Sequence, residues 1–211
     1  MSRDGQRAEQ IKQLCADLEA AKELSADVLL RQIQEIGFQC QRCGECCTGD
    51  DNSVVVFPFE VRRILAAAGL QWLEAVEPPK EGEWDRNGCF HTLEWRLKKE
   101  GASCKFYSKT ACGMNGFVVC RIYESRPLIC STYPFYLDRG VLHFSECRGL
   151  GGMIEPDKAK ELAKLLILRY VTEIREAVAL LEKYEDFERG GPEEDGRCIV
   201  HDSEGAHSIF R

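Results

Sequence analysis

Apolar residues recur close to the helical period over residues 7–37, at Ile11, Leu14, Leu18, Leu24, Leu29, Ile33 and Ile36. Charged residues fill the other face. Ser25 stands where a second helix would be capped after a break, and Gly37 can end it. The pattern predicts a packing helical segment. A second helix is expected from Pro156 to about Phe187, with Leu162, Leu165, Leu166, Val171, Ile174, Val178 and Leu181 as its apolar stripe. Between the two, the elements are short. "SVVVF" (53–57) reads as a strand and "EVRRILAAAGL" as a helix closed by Gly69. "EPPKEGEWDRNG" (77–88) reads as a loop. "HTLEWRL" reads as one strand, with Leu93, Trp95 and Leu97 on one face. Asn115-Gly116 marks a turn before "FVVCRIY", and "VLHFSEC" is a further strand-like run. The last residues, 189–211, read as a loose polar tail. The expected fold is α+β: a small irregular core with short strands (38–152), flanked by N-terminal (1–37) and C-terminal (153–188) helices.

Composition narrows the possibilities. A chain of 211 residues suits one compact domain with extensions. Net charge of −7 and a pI near 5.3 argue against nucleic-acid binding, which needs a basic face. No run of 18 apolar residues spans a membrane, and "MSRDGQRAEQ" lacks an apolar signal region. The protein is therefore expected in the cytosol. There, twelve cysteines argue for metal chemistry rather than a disulfide scaffold. Cys15, among the apolar positions of a helix, can be a small buried hydrophobe. That reading does not account for Cys40, Cys43, Cys46 and Cys47 in "FQCQRCGECCTGD".

Cys40, Cys43 and Cys46 follow a C-x2-C-x2-C pattern, in which the backbone can curl so that successive thiolates face one point. Gly44 helps, since it turns tightly and presents its N–H to sulfur. Bacterial ferredoxins use this spacing for three ligands of a [4Fe–4S] cluster; their next cysteine, four residues on, is missing here. Cys47 is a poor partner for Cys46 at one ion, because adjacent side chains diverge. The doublet serves either two centres, or one centre and an accessory or reactive thiol.

Cys104, Cys120, Cys130 and Cys147 bring the number of candidate ligands to eight, enough for two four-thiolate sites. Arg42, Lys105, Arg121, Arg126 and Arg148 lie beside them and could offset the roughly −2 charge of such a site. They could equally be ordinary surface charges. Arg126, in "ESRPLIC", is a candidate for contacting a cofactor by charge compensation, or for binding an anionic substrate. Pro127 and Pro134 fix the backbone on either side of Cys130. The histidines His91, His143, His201 and His207 form no metal-binding motif and read as core or surface residues. No P-loop, G-x-G-x-x-G or G-x-S-x-G occurs.

"FQCQRCGECC", "CKFY", "CRIYESRPLICSTYPF" and "ECRGLGG" together resemble the YkgJ-type cysteine-cluster family, described as zinc- or iron-chelating and elsewhere as containing Fe–S clusters. The matching blocks lie between Phe38 and Gly152. The resemblance implies that Cys40, Cys43, Cys46, Cys47, Cys104, Cys120, Cys130 and Cys147 bind metal. Similar patterns occur in flagellin lysine methylases, which implies an enzyme as a further alternative; Arg126, Tyr123 and Tyr133 would then be the first residues to test. Cys89 and Cys112 fall outside the shared pattern and could be extra ligands, while Cys15 and Cys198 lie in the flanks. The C-x2-C-x2-C run and the singly spread distal cysteines favour an iron–sulfur cluster with an electron-transfer or accessory role and a protein or redox partner. The alternative is a zinc-binding structural or interaction module.

Overall fold

A computed structural model describes residues 3–49, 52–108, 119–192 and 196–210. The N-terminal helical segment divides, as expected, into α1 (Arg3–Lys22) and α2 (Ala26–Ile36). Ser25 causes the division: its backbone is extended, and its hydroxyl accepts the Val28 N–H at 3.4 Å. Gly37 ends α2 with a positive φ of 72°, its N–H donating to the Ile33 carbonyl. Next come a 3-10 turn (Glu45–Cys47), β1 (Val55–Val56), α3 (Pro58–Ala68), α4 (Trp72–Ala75), β2 (Val76–Glu77), β3 (Glu83–Trp84), β4 (Phe90–Leu93) and β5 (Trp95–Leu97). After these come β6 (Lys99–Glu100), β7 (Ser103–Cys104), β8 (Tyr107–Ser108), β9 (Val119–Cys120), α5 (Leu128–Thr132), β10 (Phe135–Asp138), β11 (Val141–Phe144), α6 (Pro156–Lys183), β12 (Arg197–Asp202) and β13 (Gly205–Phe210). The fold is α+β. Among the described residues, no helix is long and apolar enough to cross a membrane. Asn115, Gly116 and Cys112 lie outside the described residues.

The chain forms two compact units, Met1–Cys46 with Tyr107–Arg175 and Cys47–Phe106 with Glu176–Arg211. The core of the first unit is built from three elements: Leu29 and Ile33 of α2, Phe135 and Leu137 of β10, and Ala159, Leu162, Ala163 and Leu166 of α6. Their spacings follow the periods of their elements, four residues on α2, two on β10, and three, four and seven on α6. Burying each large aliphatic side chain contributes roughly 1.5–3 kcal/mol. Phe38 sets its ring edge-on to Phe135 at 5.7 Å. This ties the chain to the core two residues before the first clustered cysteine.

The second unit holds a four-stranded sheet in the order β13-β12-β4-β3 and a three-stranded sheet in the order β1-β5-β2. Four expectations change here. "HTLEWRL" is two strands in two sheets rather than one, because Glu94 takes a positive φ of 60° and turns the chain between β4 and β5. Leu93 is consequently 47% exposed while Trp95 is 1% exposed. The loop 77–88 contributes β3. Residues 197–210, expected as a loose polar tail, form the antiparallel hairpin β12–β13, with β12 lying parallel to β4. A polar sequence is held there because Cys198, Val200, His201 and Asp202 are all buried, on both faces of the strand. Finally, α6 ends at Lys183, short of Phe187, whose ring leaves the helix to stack on His91 at 3.8 Å between centroids.

Candidate metal centre

Two short backbone contacts bring distant cysteines of the first unit together. Phe38 and Leu150 form an antiparallel bridge, and the Gln39 N–H donates to the Gly149 carbonyl at 2.8 Å. This sets the segment before Cys40 against the segment after Cys147. Glycine is required at 149, since a Cβ there would lie 2.5 Å from the Gln39 carbonyl oxygen. Between successive cysteines of the C-x2-C-x2-C run, each gap contains one left-handed residue, Arg42 (φ 49°) and Gly44 (φ 79°). The chain therefore bends back after each thiol.

The electrostatic neighbours of Cys147 are the three cysteines of that run. Burial pushes the Cys147 thiol up, the Gly149 N–H on its sulfur (3.4 Å) opposes this, and Cys43, Cys40 and Cys46 push it further up. Tyr133 lies among the same groups. Its hydroxyl is pushed up by burial and then by Cys147, Cys46, Cys43 and Glu45. That hydroxyl donates to the Glu146 carbonyl at 2.6 Å, which anchors the residue before Cys147. Cys120, on β9, is pushed up by burial and by Cys46, against the Ile122 N–H and the Arg126 cation. Cys130 is half-buried on α5, which starts directly after Pro127 and is followed by the cis Tyr133–Pro134 bond.

Among the expected basic residues, Arg126 has its guanidinium 4.0 Å from the Tyr123 ring centroid and its Nε donating to Ser131 Oγ at 3.3 Å. Arg42 lies 5.3 Å from the same ring. Arg148 pairs with Glu45 at 2.5 Å, and Glu45 accepts from the Cys43 thiol at 3.8 Å. Two guanidinium groups therefore contact one aromatic ring in the first unit.

Cys47 falls in the second unit. There Thr48 bridges Ser103, and the Gly49 N–H donates to the Ala102 carbonyl at 2.8 Å. Extending this antiparallel register by one residue sets Cys47 opposite Cys104. The boundary between units runs through the doublet itself, with Cys46 on one side and Cys47 on the other. Cys89 lies in the second unit, in the turn between β3 and β4, with its N–H held by Asp85 Oδ1 at 2.8 Å. Cys198 is buried in β12. Cys15 is exposed on α1 rather than buried: α1 is polar on most of its circumference, and only Ala21 of its described residues is buried.

Among the described residues, no three cysteine, histidine or carboxylate side chains close on a single point as a metal cage. The donor chemistry nevertheless fits a thiophilic centre. Cys40, Cys43, Cys46 and Cys147 are neighbouring sulfur donors in one unit, with a backbone N–H on one sulfur and with cationic side chains in the same unit. All eight expected ligands are exposed or half-buried, whereas unligated cysteine is among the most buried residue types. Gly149 was the residue least visible in the sequence. In "ECRGLGG" it reads as part of a turn, yet it allows the close approach to Gln39.

A family model described as "CxxCxxCC: Putative zinc- or iron-chelating domain" matches residues 39–158. No curated protein and no solved structure matches the chain. The family match covers more than half of the 211 residues and includes Cys40, Cys43, Cys46, Cys47, Cys104, Cys120, Cys130 and Cys147. The chain thus belongs to the CxxCxxCC family of metal-chelating proteins.

Proposed function

We propose that the protein carries an iron–sulfur cluster on cysteine thiolates and serves a redox or accessory role with a protein partner in the cytosol. The observation that supports this best is the neighbourhood of Cys147, made of Cys43, Cys40 and Cys46. It adds a fourth sulfur to a spacing that supplies three. When bound, such a cluster supplies a one-electron couple whose potential follows ligand, charge and hydrogen bonding. Cys40, Cys43, Cys46 and Cys147 are the ligands of this first centre. The Gly149 N–H donates to the Cys147 sulfur, and Arg126 contributes positive charge beside Cys120. Tyr133, whose hydroxyl donates to the Glu146 carbonyl, holds the residue before Cys147 in place. Cys47, Cys104, Cys120 and Cys130 are the remaining ligand candidates, with Cys47 and Cys104 acting as a pair.

Anaerobic purification followed by iron, sulfide and zinc analysis tests the proposal. The expected protein is brown, with iron and acid-labile sulfide in equal amounts. A colourless anaerobic preparation with stoichiometric zinc overturns it in favour of a structural zinc module. Cys147→Ser is expected to abolish the visible chromophore. Cys47→Ser is expected to leave the first centre in place, and loss of all metal in Cys47→Ser would mean a single shared site.

A further inference from the structure

Two histidines outside the thiol chemistry form a buried chain in the second unit. His91 lies on β4 and His201 on β12; they are 9% and 4% exposed. In the parallel register His91 lies opposite Ile199, so His201, two residues on, shares its face of the sheet. His91 Nδ1 and His201 Nε2 are 2.8 Å apart, and His91 Nε2 lies 3.3 Å from Asp85 Oδ2. The other oxygen of Asp85 accepts the N–H groups of Asn87 (2.9 Å) and Cys89 (2.8 Å). Burial opposes ionisation of Asp85, but the Cys89 N–H, the His91 ring and the Asn87 N–H outweigh it and hold the carboxyl below its usual range.

An ionised Asp85 can only accept, so His91 Nε2 carries a proton. The nitrogens of the His91–His201 contact then share one proton between them. With two neutral rings, His201 donates and His91 accepts. With one added proton, one ring is cationic and a single N–H still spans the contact. A second added proton puts an N–H on both facing nitrogens at a separation that only a hydrogen bond permits. One ring must then swing away, and the ring of His91 is held between Asp85 and the stacked Phe187. His201 is the ring that moves, and it belongs to the C-terminal hairpin.

We propose that the Asp85–His91–His201 chain is an acid-sensitive latch that holds the hairpin β12–β13 on β4 and releases it when the histidine pair takes up its second added proton. The surrounding groups favour this direction. The turn before β4 presents Asp85, which faces His91 rather than His201. The segment after α6 presents Tyr184, whose ring is 4.8 Å from His201, together with Glu185; β12 presents Asp202 and β13 presents His207. On β3, Glu83 lies opposite His91 in register but is exposed and engaged by Arg189 at 2.6 Å. For His201, burial and then a charged His91 hold the pKa below its ordinary value, with Glu185 and Asp202 opposing and His207 adding. A depressed histidine contributes stability that is present above its unfolded value of about 6.5 and is lost as pH falls through its folded value. The latch is therefore closed at neutral pH and opens on acidification.

Hydrogen exchange of the full chain between pH 8 and pH 5, corrected for intrinsic rates, tests this. Peptides covering residues 197–210 are expected to lose protection by up to about tenfold per pH unit for each linked proton. The β10–β11 hairpin, which has no such pair, should show no matching loss. His201→Gln, which cannot titrate, should flatten the pH dependence of residues 197–210. A pH-independent hairpin, or one that follows β10–β11, overturns the latch. So does the same pH dependence in His201→Gln. If that variant fails to fold, NMR of the unaltered protein decides: a slowly exchanging imidazole N–H at pH 8 supports the shared proton, and its absence refutes it.

Discussion

In the unit that carries Cys40, Cys43 and Cys46, the chemically active side chains are exposed or half-buried, and the contacts that position them are mostly backbone ones at Phe38, Gln39, Gly149 and Leu150. In the other unit, Asp85, His91, His201 and Asp202 are buried, and their partners are side chains and backbone N–H groups of the same unit. Asp202 accepts the Trp95 indole N–H at 2.9 Å and lies 2.9 Å from His207 Nε2, while Asp85 engages His91. The second arrangement is closed, because each of these four buried side chains has a hydrogen-bonding partner within the unit. The first is open: its sulfur donors share a neighbourhood without forming a cage. An open donor set gains stability when a ligand completes it, because binding free energy then becomes folding free energy. A closed set already contains the partners it needs.

The largest test of this contrast is metal removal. Anaerobic chelation is expected to strip hydrogen-exchange protection from residues 37–40 and 147–151 while leaving β12–β13 protected. Equal loss in both units would erase the distinction. Ile33→Ala comes next. This side chain is fully buried in the core of the first unit, and its truncation is expected to cost about 2–5 kcal/mol in denaturant unfolding. Gly149→Ala sharpens the argument further. Its Cβ meets Gln39 backbone, so a loss of roughly 1–3 kcal/mol and weaker metal retention are expected together. Gly191→Ala, with nothing within 4 Å, is the neutral control. The smallest effect belongs to Arg62→Ala. The Arg62–Glu204 pair is bidentate at 2.6 and 3.0 Å, but both side chains are largely exposed. A change of about 0.2–1 kcal/mol, shrinking with added salt, is expected.

Much of the architecture was legible before any coordinates. The helical period marked α1, α2 and α6, and Ser25 and Gly37 act as the cap and stop that their chemistry predicts. The strands were harder. Glu94 carries no signal for a positive φ, so one alternating run concealed two strands. The C-terminal hairpin was hidden because two of its inward residues, His201 and Asp202, are polar and are buried only through partners far away in the chain. Histidine spacing was uninformative for the same reason: 110 positions separate His91 from His201.

The order of residues along the chain by itself determined that this is a thiol-rich metal-chelating protein, since the C-x2-C-x2-C run and its doublet are local patterns that need no folding to be read. It also set the conflict between Cys46 and Cys47, because adjacent side chains diverge in helical and in extended backbone alike. Which distant cysteine approaches which was decided only by tertiary structure. Cys147 comes into the electrostatic neighbourhood of the first three thiols because Gly149 lets two backbones approach, and Cys47 comes opposite Cys104 through the Thr48–Ser103 bridge. Both are contacts between segments remote in sequence, which the chain order does not encode as a spacing.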